Sequence, residues 1–349
     1  MDAKQNLFGL TLEQLKIVVR SLDLPAFTAT QLADWLYKKH AGVIDEMTNL
    51  SKNARRKLEE KYYVGLTLPS NVQTSVDGTK KYLYPTQTKK FIESAYIPDD
   101  DRATLCVSTQ IGCKMGCLFC MTGKQGFQGN LTAGEIINQI HSLPEFENLT
   151  NIVYMGMGEP LDNIQAVLDS IEIMTAPWGY GWSPKRITVS TIGIIPAMIS
   201  FLEKSDAHLA VSLHSPFDEE RRQIMPIQNV YPLTEVIREL KKWDLGRQRR
   251  ISFEYIMFKG VNDSPRHARE LVRLLNGIKC RINLIRFHSI PDTVLEGTDV
   301  AGMVEFQNML KAKGMTVTIR ASRGEDIFAA CGLLSTKELL KRQQQDTDY

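Results

Sequence analysis

A chain of 349 residues with 43% hydrophobic and 23% charged side chains can bury one large catalytic domain and a small accessory one, which excludes wholesale disorder. Lysine and arginine (42) nearly balance aspartate and glutamate (40), so the net charge of +2 singles out no partner, and no apolar run is long enough to span a membrane. No basic-then-apolar leader opens the sequence, and six cysteines do not suggest a disulfide scaffold, so a reducing compartment, the cytoplasm, is expected.

Residues 1–68 are expected to form a small helical unit. Thr11-x-x-Gln14 and Thr28-x-x-Gln31 have the form of capping boxes that open two amphipathic helices, and a third helix is expected from Ser51 to Tyr62. No cluster of chemistry-bearing side chains occurs there, which leaves a recognition or packing module. Residues 69–100 change to short alternating segments, with Asp77-Gly78 as a hairpin turn and Pro85 at a second turn. Antiparallel strands leading into the main domain are expected. Between Lys52 and Lys90, nine basic residues outnumber three acidic ones, an excess that suits contacts to phosphates and equally a solvated face.

From residue 101 to 349 the period alternates between strand and helix. Strands are expected at 103–111, 151–157, 186–191, 208–214, 251–258, 281–288 and 315–320. Helices are expected at 132–143, 163–175, 195–204, 232–244, 265–278 and 300–313. Thr132-Ala-Gly-Glu135 is a capping box, and Ser264-Pro265 places a cap before a first-turn proline. Such alternation builds a parallel sheet with helices outside it, either open or rolled into a full or partial barrel. Both put functional groups at the carboxyl ends of the strands. Those ends carry Cys113, Gly158-Glu159, Ser190, Ser212 with His214, and His288. The tail after Ser335 reads as a polar helix.

Cys113-Lys-Met-Gly-Cys117-Leu-Phe-Cys120 carries the strongest chemical signal. Three thiols spaced C-x3-C-x2-C after a strand can point at one centre, and soft thiolates select zinc, copper(I) or an iron–sulfur cluster. Three ligands hold three irons of a four-iron cluster and leave one open; with Cys106 as a fourth, the same thiols would suit structural zinc. Spacing alone admits both. Cys331, between Ala330 and Gly332, and Cys280 have the form of packed core thiols.

The cysteine loop, together with Met155-Gly-Met-Gly-Glu159-Pro160, resembles the radical S-adenosylmethionine enzymes. Arg102-Ala-Thr-Leu-Cys106, Ser212-Leu213-His214, Phe253-Glu-Tyr-Ile and Arg323-Gly-Glu-Asp-Ile…Ala-Ala-Cys331-Gly extend the likeness to the RlmN/Cfr family of RNA adenine methyltransferases, over nearly the whole chain. The Arg323 segment is closer to the C2-methylating branch than to the C8-methylating one.

That resemblance implies an α/β fold: a radical SAM partial (β/α)6 barrel with the seventh strand appended, preceded by the helical domain and the antiparallel extension. It implies a [4Fe-4S] cluster on Cys113, Cys117 and Cys120, and two molecules of S-adenosylmethionine per turnover. Gly158, Glu159, Ser190, Ser212, Leu213 and His214 would contact the cofactor, with Phe119 near its adenine. His288 stands where the family usually has asparagine, and Thr122-Gly-Lys-Gln-Gly is loose against the family pattern. Cys331 would carry a methyl group to C2 of an adenosine in 23S rRNA and in tRNA, and Cys106 would release the product by forming a disulfide with it. Glu93 maps to the proton acceptor; Cys106 competes for that role, and a strand glutamate facing solvent is the plain structural alternative. The partners implied are the two RNAs, a cytosolic electron donor and a disulfide reductant, with the enzyme a monomer and no membrane involved. A zinc-stabilised RNA-binding module without catalysis is the rival of another class.

Overall fold

The structure, a computed structural model, describes residues 4–244 and 249–336. Ten strands form one sheet in which each pairs with its neighbours in the chain. They are β1 Asn71–Thr74, β2 Lys80–Pro85, β3 Phe91–Asp99, β4 Arg102–Cys106, β5 Asn151–Tyr154, β6 Ile187–Thr191, β7 His208–Ser212, β8 Ile251–Met257, β9 Cys280–Arg286 and β10 Thr316–Ile319. β1 to β4 are antiparallel, and β4 to β10 run parallel. The six parallel strands β4–β9 with β10 appended are the expected partial barrel, and the antiparallel extension is continuous with its sheet.

Helices cover the outer face. α5 (Ala133–His141), α6 (Ile164–Thr175), α7 (Ile195–Lys204), α9 (Leu233–Leu240), α10 (Pro265–Leu275) and α11 (Val300–Lys311) each follow a strand, as alternation requires. They cover Val189, Val211, Phe253, Tyr255 and Leu284, all without exposed surface, with Met198, Phe201, Val236, Leu271 and Phe306 in one apolar core. The Thr132–Glu135 box and the Ser264 cap both form; in the latter His267 supplies the reciprocal side chain. Two short helices, α4 (Met121–Gln125) and α8 (Asp218–Ile224), lack a pattern long enough to be read from sequence.

The N-terminal unit contains α1 (Leu12–Ser21), α2 (Thr28–Tyr37) and α3 (Lys52–Lys61). Thr11 and Gln14 make the expected capping box. Thr28 does not cap α2: it lies inside the first turn, buried, because a tight turn from Pro25 starts the helix one residue earlier, and Gln31 donates instead to the Asn49 carbonyl. This unit packs against the barrel through aromatics, with Phe8 on His141 and Tyr37 on Trp178. Gly9, at φ +94°, allows the closest approach; a Cβ there would lie 2.1 Å from the Gly134 Cα of α5. The polar tail falls almost wholly on residues 337–349, outside the described residues.

Candidate functional site

The three-cysteine loop runs from Gly112 into α4, beside the parallel strands' carboxyl ends. Cys113, Cys117 and Cys120 join an apolar cluster with Phe119, Ile256, Ile285, Ala330 and Leu333. Burial pushes all three thiols up, Cys113 to about 12, and each also feels a neighbouring thiol. Buried thiols in one another's field ionise only against a cationic centre. A single zinc ion needs four ligands around one point. Cys106, the fourth ligand such a site would need, packs instead with Ala95 and Ala329 and faces Cys331. Three separated thiols suit the corners of a cluster whose irons are bound one by one.

Residues on the next turns build a scaffold around that loop. Gly158 adopts φ +99°, and a Cβ there would collide with the Gln110 side chain at 2.5 Å. The following carboxylate is not free: Glu159 Oε1 accepts from Thr191 Oγ1 at 2.6 Å and Leu161 N at 3.1 Å, and Oε2 from Ile192 N at 3.1 Å. Burial still raises its pKa to about 7, against these hydrogen bonds. Glu159 therefore ties the β5 turn to the end of β6, and its own main chain is held by Gln110 Oε1, which accepts from Glu159 N at 2.9 Å, and by Asp162 N, which donates to its carbonyl. Ser190, on β6, is half-buried.

Ser212, Leu213 and His214 close β7 under the grip of Arg221. This fully buried guanidinium donates to the carbonyls of Leu213, Ser212 and Ile192 and to Gln228 Oε1. His214, at φ +57°, accepts from Ile256 N through Nδ1 at 3.0 Å, and its ring meets Phe119 edge-on at 4.8 Å. Burial, helped by Arg221, lowers its pKa to about 3, so it is a neutral ring that sets the angle of Phe119. Arg221 had no local signal in sequence: its partners come from three separate loops.

Cys106 and Cys331 line one cavity of about 160 Å3, with Cys120, Gly156, His288 and Arg320 also on its wall. All six cysteines are free thiols. Burial, then the neighbouring Cys331, raises Cys106 to about 12, while the Arg320 guanidinium opposes the shift. Arg320 Nη1 also lies 3.4 Å from Glu254 Oε2 and 3.2 Å from Met155 Sδ. His288 is buried, and its Nδ1 is 3.2 Å from Glu325 Oε1 without hydrogen-bond alignment, so that nitrogen stays unpartnered.

Glu93 does not face solvent, which overturns the plain alternative for it. Only 6% exposed, it pairs with Lys81 at 3.1 Å and accepts from Ser335 N at 3.0 Å. It is not on the wall of the two-thiol cavity; Ser335, four residues beyond Cys331, connects them. Burial raises its pKa, and Lys81 pulls it back. The basic tract is partly spent inside the fold, since Lys80, Lys81 and Arg55 pair with Glu145, Glu93 and Asp45 and Lys57 donates to the Leu22 carbonyl. A larger cavity of about 640 Å3, between the N-terminal unit and β2–β3, contains no cysteine.

Comparison with known proteins agrees with this geometry. The radical SAM superfamily profile matches residues 107–272, and that of the ribosomal RNA large subunit methyltransferase N-terminal domain matches 5–64. A probable dual-specificity RNA methyltransferase RlmN of Parabacteroides distasonis is 59% identical over 96% of this chain and 98% of its own. The dual-specificity RNA methyltransferase RlmN of Syntrophus aciditrophicus is 42% identical over 96% and 97%. The crystal structure of a radical SAM methyltransferase from Sphaerobacter thermophilus superposes with a TM-score of 0.87 at 38% identity, covering 95% of this chain and 99% of that one. That family implies a [4Fe-4S] cluster and S-adenosylmethionine, which the three-thiol loop fits. The chain belongs to the RlmN family of radical SAM RNA methyltransferases.

Proposed function

We propose that the protein methylates C2 of an adenosine in 23S rRNA and in tRNA, the two substrate classes of dual-specificity relatives. The observation that carries the reading is the meeting of Cys106 and Cys331, far apart in sequence, on one cavity wall beside Cys120.

Adenine C2 lies between two ring nitrogens and offers no lone pair to an activated methyl group. When bound, the cluster on Cys113, Cys117 and Cys120 and the S-adenosylmethionine held by Gly158, Glu159, Ser190, Ser212, Leu213, His214 and His288 supply a carbon-centred radical. The side chains do the rest. Cys331 would hold the incoming carbon as a thioether, at a cost of two molecules of S-adenosylmethionine per turnover. Arg320, on the wall with both thiols, favours the ionised form of Cys106. Glu93 takes the C2 proton, with Lys81 holding its carboxylate charged. Once that carbon is bonded to C2, Cys106 attacks the Cys331 sulfur: the S–S bond forms as the S–C bond breaks, the released carbon takes up a proton to become the methyl group, and a reductant of the cell must reopen the disulfide. The target base must leave its stack to reach this wall. Residues 1–68 and the unpaired cations of 52–90 are assigned to holding RNA, 69–100 to the extension and 101–349 to catalysis, in a cytoplasmic monomer with its own electron donor.

The decisive test is mass spectrometry of digested RNA after turnover. Wild type should give 2-methyladenosine, Cys331→Ala none, and Cys106→Ala a covalent protein–RNA adduct. Free methylated RNA at normal yield from Cys106→Ala would remove the resolving role, and 8-methyladenosine alone would move the product to the other carbon.

A further inference from the structure

The amino ends of β8 and β9, opposite the cysteine loop, border a cavity of about 430 Å3 that the chemistry above does not use. Lys241, Trp243, Arg249, Arg250, Lys279 and Arg281 are on its wall. All but Trp243 are cations. The Arg249 side chain is only 8% exposed, yet its Nε and Nη2 have no hydrogen-bond partner, and neither does Nε of Arg281. Arg249 Nη1 donates to the Leu202 carbonyl at 2.9 Å, so the guanidinium is fixed at one corner and unmet at the others. Acidic compensation is thin. Asp206 lies 4.0 Å from Arg249 with its own side chain 90% exposed, and Asp244, on the wall, has a partner of its own. Among the described residues, Lys241, Arg250, Lys279 and Arg281 form no ion pair.

Five like charges around one space repel, and guanidinium donors left unmet in a buried position cost free energy. A tetrahedral oxyanion offsets the repulsion, since it brings negative charge and acceptor oxygens that match a guanidinium fork. We propose that this cavity binds a phosphate group, at a site separate from the cysteine-lined one. The phosphate belongs to bound RNA or to a free phosphate compound; only the first source rests on the proposed function.

Cluster-loaded protein would be titrated calorimetrically with inorganic pyrophosphate, and substrate tRNA binding followed across a salt series. Wild type would be compared with Arg281→Gln and with the rim double variant Lys241→Ala/Lys279→Ala, which keeps the test alive should Arg281→Gln misfold. Both variants are expected to weaken pyrophosphate by about tenfold or more. If tRNA affinity falls too and its salt slope flattens by about one per cation removed, the source is RNA, even where pyrophosphate itself binds too weakly to measure. If tRNA binding is untouched while pyrophosphate weakens, the ligand is a free phosphate compound. Unchanged affinity of the rim variant for both probes overturns the site, whatever the enzyme's methylation product.

Discussion

Arg221 and Lys81 show how far single cations decide this site. Arg221 donates to three main-chain carbonyls and Gln228 from a fully buried position, so Arg221→Met removes four hydrogen bonds at once, two of them to acceptors that keep a second donor, Ser215 N on the Leu213 carbonyl and Leu233 N on Gln228 Oε1. At about 1–3 kcal/mol for an unmet buried group, with partial relaxation, a loss of about 4 kcal/mol is expected in denaturant unfolding, together with weaker S-adenosylmethionine binding. Lys81→Met acts on Glu93. The two side chains are 11% and 8% exposed, so removing the cation costs about 3 kcal/mol wherever the carboxylate is ionised. The sign follows from burial having already raised the Glu93 pKa. The folded variant holds the proton to higher pH than the unfolded chain, so its deficit shrinks as pH falls toward the unfolded value. The acid limb of the kcat profile should move upward with it; an unmoved limb would exclude Glu93 as proton acceptor. Neither residue was legible in sequence: Lys81 was one of nine tract cations, and Arg221 lies on the short α8, which no periodic pattern announces. The cysteine loop was legible because its ligands are neighbours in the chain. Cys106 and Cys331 were paired only through resemblance, because no local pattern encodes a contact across a barrel.

At the scale of elements, the contact between the end of α2 and α5 is built from stacked rings that resist charge. His40 stacks on His141 at 4.0 Å, Phe146 and Tyr180 flank them, and the Tyr180 hydroxyl lies 2.8 Å from His141 Nδ1. Burial, then His40, lowers the His141 pKa to about 3. Burial also lowers His40, with Glu147 opposing. A histidine depressed in the folded state stabilises fully above its unfolded pKa, and that contribution is lost as pH falls through the window from about 6.5 to about 3. Between pH 6 and 4 the slope from His141 is about 1.4 kcal/mol per pH unit. His141→Phe should flatten this acid slope in thermal melts by close to one proton, and an unchanged slope would place the titration elsewhere. Strand and helix positions in this region followed from periodicity. The false cap at Thr28 arose because the turn from Pro25 precedes it, a choice made by tertiary packing of the buried threonine.

The whole molecule is organised so that its last described segment closes the barrel it serves. Residues 320–336 lie across the cysteine-lined end, and the space left between Cys106 and Cys331 is about 160 Å3. At about 30 Å3 per water, that holds about five waters, well below the roughly 300–1,000 Å3 of typical ligand sites. On the proposed function, an adenosine brought to these two thiols requires the segment to move, and its tethers define how. At one end the Asp77–Gly78 turn of the β1–β2 hairpin holds it: Gly324 N donates to Asp77 Oδ2 at 2.9 Å, and Asp326 accepts from Ser75 Oγ at 2.5 Å and Val76 N at 3.2 Å. At the other end Thr122 Oγ1 and Met121 N, next to Cys120, donate to the carbonyls of Leu334 and Gly332. The hairpin tether is part-buried to exposed and the Thr122 tether to α4 is buried, so opening should begin at the hairpin. Asp326→Ala removes two hydrogen bonds there while leaving every thiol in place. Deuterium uptake over residues 321–330 should rise several-fold in that variant, whereas uptake over 331–336 should change little. Equal acceleration across both stretches would mean that the segment leaves as a unit, and that the Cys331 thiol is released with its hairpin contact instead of pivoting about α4.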